Sequence, residues 1–211
     1  MGYVLYGSQG SGAFCVEAAL AEAGAPVEYR EISLENDEQR SEDFRTLNPS
    51  GKVPALQLPS GEIVTETAAL LALIAERHPE AGLLPQPDSL KRGAALRWIA
   101  FMASEIYPIV EIADYPERFI DDHKGAAVLK QSAKKRIRAR MLVVEAAASG
   151  PWFLPSGFSA LDIYAAMFSR WRECRENGWR EEYLPKICAI ATALAERPAL
   201  KPVWEKYFPN G

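Results

Sequence analysis

The sequence has few of the side chains that metal centres and histidine-based active sites need. Its 211 residues include two histidines, His78 and His123, and three cysteines, Cys15, Cys174 and Cys188, which lie far apart and form no CxxC pair. Zinc sites and disulfide frameworks place cysteines and histidines at short, regular spacing. We therefore expect no metal site and no disulfide framework, which suits a reducing cytosol.

The sequence also lacks a long apolar run and an excess of positive charge. No stretch approaches the roughly 18 apolar residues of a membrane span, and we expect no signal peptide, because no basic region followed by an apolar stretch begins at Met1–Val4. Lysine and arginine number 24 against 28 aspartates and glutamates, a formal net charge of -4. The basic residues from Lys130 to Arg140 cover all faces of a predicted helix, which indicates a solvated helix. We expect a cytoplasmic protein that binds neither nucleic acid nor membrane.

The first eighty residues alternate between short strand patterns and helix patterns. Their order predicts a βαβ unit followed by a ββα unit, which together form a compact α/β domain with a partly parallel sheet. Gly24 ends the first helix pattern, and Asn48-Pro49 ends the second. The predicted strands lie at 3–6, 27–32, 53–58 and 62–64, and the predicted helices at 13–24, 35–47 and 66–78.

The clearest boundary lies between His78 and Pro87, where three prolines and a glycine stop any helix. Every long segment after it has a helical pattern. We predict an α/β domain at 1–79, a linker at 80–88 and an all-α domain at 89–211. Pro108 predicts a kink in the first of the later helices. These helices are expected at 89–113, 124–148, 159–174, 181–196 and 198–207.

Two segments carry residues that suit a small zwitterionic peptide. Pro54 precedes a strand, and a proline there can turn the main chain of Val53 outward, to pair with an extended peptide. Thr67 lies at a helix start, where free amides and the helix dipole favour a carboxylate, and Glu66 could pair with an ammonium group. An edge-strand proline beside an ordinary helix start would explain the same residues without a ligand.

The stretch Asn48–Leu56, followed by Glu66–Leu70, resembles the glutathione-binding segment of the cytosolic glutathione transferases. The resemblance implies a thioredoxin-like fold with a cis proline at Pro54, and a Glu66–Thr67 pair that holds the γ-glutamyl end of glutathione. It also implies a two-fold homodimer. Lys52 could reach the glycine carboxylate, although a solvated lysine fits equally well. Ser159 and Asp162 are similar to the family's N-capping box, which we assign to folding.

The resemblance makes the turn from Gly7 to Gly12 the place where the thiol is activated, because the thiolate is the nucleophile. Three hydroxyls compete for this role, in the order Ser11, Tyr6, Ser8. Ser11 corresponds to the catalytic serine of insect-type and zeta-like transferases and Tyr6 to the tyrosine of pi-like classes, while a turn or helix-cap role would also explain Ser11. Gly12 replaces the cysteine of beta-class bacterial enzymes, which predicts a serine-type enzyme. Cys15 is expected to be a buried apolar residue.

Aromatic residues of the helical half could line a pocket for the second substrate. Tyr107 is the first choice for a wall, because a ring with a polar tip can stack on a substrate and hydrogen-bond to it. Phe101 and Trp171 are the other predicted wall residues. Trp98 and Phe168 are expected to fill the core.

The resemblance implies a detoxifying glutathione S-transferase that uses glutathione as co-substrate against a small hydrophobic electrophile. Two alternatives stay open. One is a glutathione-dependent thiol-disulfide reductase or peroxidase, which the lack of a CxxC pair disfavours. The other is a non-catalytic binding module of the same fold.

Overall fold

The computed structural model of the protein describes residues 2–209. The chain folds into two units, one of Met1–Gln86 with Thr192–Gly211 and one of Pro87–Ala191. By its contacts, the carboxyl-terminal segment from Thr192 is therefore part of the first unit. The domain boundaries predicted from the sequence, 1–79, 80–88 and 89–211, stay a prediction.

The first unit contains the mixed, thioredoxin-like sheet that the sequence predicts. In the described part of the chain it has four strands in the order β2-β1-β3-β4. Strands β1 and β2 are parallel, whereas β3 is antiparallel to both of its neighbours. The parallel pair needs a crossover, which helix α1 provides. The strands are β1 (Tyr3–Gly7), β2 (Val27–Glu31), β3 (Ala55–Gln57) and β4 (Ile63–Thr65), and the helices α1 (Ala13–Glu22), α2 (Glu42–Leu47) and α3 (Thr67–Arg77).

The two faces of this sheet are covered by different helices. Tyr6 and Ala55 pack with Phe44 of α2. Because side chains alternate along a strand, Leu5 and Leu56 point to the other face, where both are fully buried. The start of α1 lies on that second face, directly against Gly7. The end of β1 is therefore enclosed by packed elements.

Gly7 is required by this close approach, which yields a stability prediction. A Cβ atom at Gly7 would lie 2.4 Å from the Cβ of Ala13 and 3.2 Å from the ring of Tyr29. We expect Gly7→Ala to lower the free energy of unfolding by about 1–3 kcal/mol, the usual cost of overpacking. The matched control is Gly93→Ala on an exposed helix surface, where an added Cβ has no neighbour within 4 Å. It should stabilise by about 1 kcal/mol, because alanine is the better helix former. Urea titrations of both variants would check the opposite signs.

The second unit is helical, as predicted, with the first long helix pattern divided at Ile106. The kink that Pro108 predicts is confirmed, since this proline lies in the first turn of the helix that follows the division. In residues 2–209, no helix combines the length and apolar character needed to cross a membrane. The first helices of this unit are α4 (Leu90–Glu105), α5 (Tyr107–Asp114) and α6 (His123–Ala147).

Two other helices predicted for the second unit are wrong as single segments. The helix expected at 35–47 in the first unit is wrong in the same way, since a 3-10 turn at Glu38–Arg40 and the extended Ser41 come before α2. The helix expected at 159–174 is interrupted at Trp171, whose backbone is extended with φ -78° and ψ 157°; no proline or glycine marks this break. The helix expected at 181–196 is interrupted at Leu184, because a residue before proline avoids the helical conformation. Pro185 then begins the next helix, where its missing N–H costs nothing. The segments are α7 (Ala160–Arg170), α8 (Arg172–Arg175), α9 (Trp179–Tyr183) and α10 (Pro185–Ala195).

Helix α7 is the central element of the second unit. Its side chains from Ala160 to Ser169 are all buried. The capping box predicted from Ser159 and Asp162 is present, with the Ser159 amide donating to Asp162 Oδ2 at 2.7 Å. A helix with no exposed face cannot rely on water to satisfy its first amides, so this cap fixes where α7 begins.

The last helix, α11 (Lys201–Tyr207), packs on α1 within the first unit. The ring of Phe14 makes edge contacts with Trp204 and Tyr207. Two ion pairs flank these rings. Arg197 forms a two-pronged pair with Glu22 at 2.7 and 2.6 Å, and Lys206 pairs with Glu17 at 2.8 Å.

Candidate active site

Three segments that the sequence singles out meet at one edge of the sheet. Tyr6 lies opposite Ala55, and Ala55 lies opposite Thr65. The chain leaves β1 soon after Tyr6, reaches β3 just before Ala55 and leaves β4 just after Thr65. The register therefore places the following side by side: the turn at 8–12, the segment Lys52–Pro54 and the pair Glu66–Thr67.

The middle segment presents main chain at this edge. The peptide bond between Val53 and Pro54 is cis, as expected from the resemblance. The ladders of β3 begin at Ala55, so the main chain of Val53 lies outside both. Pro54 is buried, whereas the side chain of Lys52 is exposed to solvent.

Asn48, which the sequence interpretation did not name as a site residue, holds this segment in place. Its buried side chain donates from Nδ2 to the carbonyl of Lys52 at 2.6 Å. Its Oδ1 accepts from the amide and the hydroxyl of Ser50, at 3.1 and 2.8 Å. Gly51 completes the turn with φ +62°. The sequence predicts a helix stop at Asn48-Pro49, and the structure shows that the asparagine also shapes the loop that follows.

The pair Glu66–Thr67 occupies the start of α3 in an uncommon conformation. Glu66 has φ +69° and ψ 110°, and its side chain is exposed. Such a backbone costs about 1–3 kcal/mol in a non-glycine residue and is found most often at functional sites. Thr67 is the first residue of α3 and is 5% exposed. Thr67 thus lies at the helix start, where free amides favour an anion.

Both serine hydroxyls of the turn donate to groups of the protein. The Oγ of Ser11 donates to the carbonyl of Ser8 at 2.6 Å and accepts from the amide of Ala13 at 3.2 Å. The Oγ of Ser8 donates to Glu31 Oε1 at 3.1 Å. A serine has one hydroxyl proton. Ser11 or Ser8 must therefore turn its proton away from its present acceptor to donate to a sulfur atom.

The hydroxyl of Tyr6 lies on the β2 side of β1. It accepts from Arg30 Nη1 at 3.1 Å, and the Arg30 guanidinium carbon lies 5.5 Å from the centre of the Tyr6 ring. The Tyr6 ring itself is buried against α2. Val53, in contrast, lies just before β3, and Glu66 directly follows β4. Val53 also packs against the buried cluster that contains Tyr6, so the Tyr6 ring lies beside the middle segment while its hydroxyl is bound to Arg30.

Cys15 has the properties of a core residue. It is fully buried in α1, and burial raises the pKa of its thiol well above the ordinary value. A thiol in this state is a poor nucleophile. The expectation of a buried apolar residue is confirmed.

The predicted pocket residues of the second unit are only partly brought together. Tyr107 makes edge contacts with Trp171 at 5.3 Å and with Phe168 at 5.6 Å between ring centres. Phe101 instead packs on Trp98 at 5.3 Å. Phe168 is 1% exposed, as its assignment to the core predicts. Tyr107 and Trp171, both partly exposed, are the members of this cluster that a ligand could reach.

Comparisons with known proteins agree with this fold. Residues 13–77 match the family model of the glutathione S-transferase amino-terminal domain. The GST-like protein YncG of Escherichia coli is 28% identical over 204 residues, which cover 96% of this chain and 97% of that protein. Glutathione S-transferase GstA, also from Escherichia coli, is 27% identical over 180 residues, 83% of this chain and 81% of its own length.

A solved structure extends the likeness to the whole fold. The glutathione transferase homologue from Sulfitobacter, crystallised with bound glutathione, superposes with a TM-score of 0.89 at 26% identity. The match covers 97% of both chains. The two units thus have the architecture of that protein.

Proposed function

From the glutathione S-transferase fold of this chain, we propose that it binds glutathione at the sheet edge and activates its thiol. The family model and the full-length relatives support a place in the cytosolic glutathione transferase family. The observation that carries the proposal is the meeting of three segments, each suited to a different part of an extended tripeptide. Glutathione acts as co-substrate, and the thiolate attacks a small hydrophobic electrophile.

The main chain of Val53 pairs with the middle of glutathione. It lies just before β3 and outside its ladders, so it can bind an extended peptide as an added strand would. The Asn48 side chain holds the Lys52 carbonyl and so preorganises this main chain. Lys52 is placed to meet the glycine carboxylate as a solvated point charge.

The γ-glutamyl end binds at Glu66 and Thr67. Its carboxylate receives the Thr67 hydroxyl and the first amides of α3, and its ammonium pairs with the Glu66 carboxylate. Threonine keeps the hydroxyl of the family's serine at this position. The strained backbone of Glu66 supports this assignment, since such strain persists where function requires it.

Ser11 stabilises the thiolate. A free thiol has a pKa of about 8.5, so only a few per cent is ionised at neutral pH. A hydrogen bond to a charged acceptor contributes about 1.5–3 kcal/mol, which corresponds to about one to two pKa units. Rotation about the Cβ–Oγ bond of Ser11 is enough to move its proton from the Ser8 carbonyl to an incoming sulfur. The start of α1 favours the same negative charge.

The proposal also covers the electrophile site, the domain roles, the oligomeric state and the cellular location. We place the electrophile against the exposed edges of Tyr107 and Trp171, with Phe101 as a further wall. Residues 1–79 form the glutathione domain and 89–211 the domain that carries the second substrate. A cytoplasmic homodimer and a role in detoxification complete this proposal. The buried Cys15 and the glycine at position 12 favour a serine-type transferase over a thiol-disulfide reductase.

The proposal is tested by binding and turnover together. The protein should be retained on immobilised glutathione, give a saturable calorimetric signal with free glutathione, and turn over at least one member of a panel of aryl halides, enones and epoxides. Binding without turnover would instead support the non-catalytic module. Activity only with mixed disulfides would support the reductase. The absence of saturable binding at millimolar glutathione contradicts the transferase and the reductase, and would support a non-catalytic module with little affinity for glutathione.

Thr67→Val tests the γ-glutamyl site. The change removes the hydroxyl and keeps the branched shape, so the dissociation constant for glutathione should rise about tenfold, the equivalent of one charge-assisted hydrogen bond of about 1.5 kcal/mol. Thr65→Val, the same change two residues earlier on β4, should leave the affinity within about twofold, because it lies outside the proposed contacts. Calorimetry compares the two. Equal affinities would remove Thr67 from the site.

A further inference from the structure

Glu31, which no sequence pattern singles out, is bonded to the turn after β1. It is the last residue of β2 and lies opposite Gly7 in the parallel ladder. Its Oε1 accepts the hydroxyl proton of Ser8 at 3.1 Å. Ser8 is 7% exposed, whereas Glu31 is exposed, so the hydroxyl is shielded from water and the carboxylate reaches it from the solvent side. Glu31 therefore fixes the orientation of the Ser8 side chain.

The main chain of Ser8 in turn fixes Ser11. The Ser8 carbonyl accepts the Ser11 hydroxyl at 2.6 Å and the Ser11 amide at 3.2 Å. Two hydrogen bonds, both through Ser8, thus connect the Glu31 carboxylate to the hydroxyl proposed to meet the sulfur atom. A change in the position of Ser8 is transmitted to both polar groups of Ser11.

The strand end that carries Glu31 is itself held firmly. The amide of Ile32 donates to the carbonyl of Gly7 at 2.7 Å, which ties β2 to β1 at this point. The ring of Tyr29, two residues before Glu31, packs against Gly7. The ammonium of Lys206 lies 3.3 Å from the centre of the Tyr29 ring and is held there by Glu17. The backbone that carries the Glu31 side chain is therefore held in place by these contacts.

We propose that Glu31 is a positioning residue, which acts through Ser8 to hold the Ser11 hydroxyl where the sulfur of glutathione arrives; its effect on chemistry rests on the proposed function. Its two influences have opposite signs. Positioning of Ser11 lowers the pKa of the bound thiol, whereas the negative charge of Glu31 raises it. Substitutions that separate the acceptor oxygen from the charge can therefore tell them apart.

The first experiment uses the ligand-free protein and needs no glutathione. Hydrogen exchange at the Ser11 amide, which donates to Ser8, should become about tenfold faster in Glu31→Ala, because the turn loses its brace. Glu31→Gln keeps an acceptor oxygen and should exchange like the natural protein. Glu35→Ala, an exposed glutamate four residues along the chain, is the matched control and should also be unchanged. Unchanged exchange in Glu31→Ala overturns the proposal.

The second experiment follows the ultraviolet absorbance of the glutathione thiolate on the protein against pH. Glu31→Ala should raise the pKa of the bound thiol by about half a unit to one unit and lower turnover about fivefold, while Glu31→Gln should not raise that pKa. Ser8→Ala should reproduce the effect of Glu31→Ala, and the double variant should add nothing further. If Ala and Gln both lower the thiol pKa, Glu31 acts only through its charge, and the proposal is wrong.

The two experiments separate this inference from the proposed function. Failure of the natural protein to bind glutathione contradicts the proposed function, while the exchange rates still decide whether Glu31 positions the turn. A loss of melting temperature in Glu31→Ala without a change in Ser11 exchange would show a purely structural role and would also overturn the inference.

Discussion

Replacing Asp162 with alanine is expected to lower the free energy of unfolding by about 3–5 kcal/mol, because two buried amides lose their acceptor at once. Asp162 is fully buried. Its Oδ1 accepts from the Phe153 amide at 2.6 Å, and its Oδ2 accepts from the Ser159 amide at 2.7 Å. One carboxylate therefore caps α7 and also fixes the loop before it. Denaturant titration at neutral pH measures the loss.

Asp122 supplies the matched control for this prediction. It is also an aspartate that caps a helix, accepting from the Gly125 amide at 2.6 Å, but it is exposed at the start of α6. Water can replace its hydrogen bond, so Asp122→Ala should cost only about 1 kcal/mol. Equal losses in the two variants would show that burial of the capped amides does not decide the effect.

Asp162 also gives the protein a defined pH dependence. Burial, the largest cause, raises the pKa of its carboxyl to about 6, although hydrogen bonds from Phe153 and Ser159 act in the opposite direction. An aspartate in an unfolded chain has a pKa of about 3.9. The folded protein thus holds this proton more tightly, so Asp162 adds stability below about pH 4 that is lost as the pH rises through about 6.

The size of this contribution is about 2–3 kcal/mol, since each pKa unit corresponds to about 1.36 kcal/mol. Asp162→Asn cannot titrate and should lack it. The difference in unfolding free energy between the natural protein and Asp162→Asn should therefore decrease from pH 4 to pH 7. A difference that stays constant over this range contradicts the assignment.

The fold could be predicted from the sequence because its signals are local. Alternating strand patterns, the Pro-rich boundary and the Ser159–Asp162 box each lie within a short stretch and specify one element. The breaks at Trp171 and Leu184 show the limit of that method. Pro185 marks the second break, but no residue near Trp171 predicts the first.

Some residues of the candidate site could likewise be predicted from the sequence, and others could not. Val53, Glu66 and Thr67 could be found from the sequence, since each lies at the start of a strand or helix and is marked by a proline or a capping residue. Glu31 could not be found, because an exposed glutamate at a strand end has no distinctive pattern. Its contact with Ser8 spans 23 residues of sequence and exists only because β1 and β2 are parallel and in register.

Removal of the Ser11 hydroxyl is expected to lower turnover about 10- to 100-fold, the equivalent of about 1.5–3 kcal/mol for one hydrogen bond to a charged sulfur. Glutathione affinity should change by less than about twofold, because the γ-glutamyl and main-chain contacts remain. The pKa of the bound thiol should rise accordingly. Ser11→Ala also removes the acceptor of the Ala13 amide, so a small loss of stability accompanies the change.

Comparison with the other two hydroxyls assigns the role. Tyr6→Phe removes a hydroxyl that accepts from Arg30 and should leave turnover within about threefold, since its ring still packs against α2. Ser8→Ala acts only through the position of Ser11 and should cost about fivefold, less than Ser11→Ala. Rates with an aryl halide, measured across pH at saturating glutathione, give all three values. If Tyr6→Phe causes the larger loss, the tyrosine activates the thiol and Ser11 is a turn residue; if all three variants keep full turnover, main-chain amides at the start of α1 must stabilise the thiolate alone.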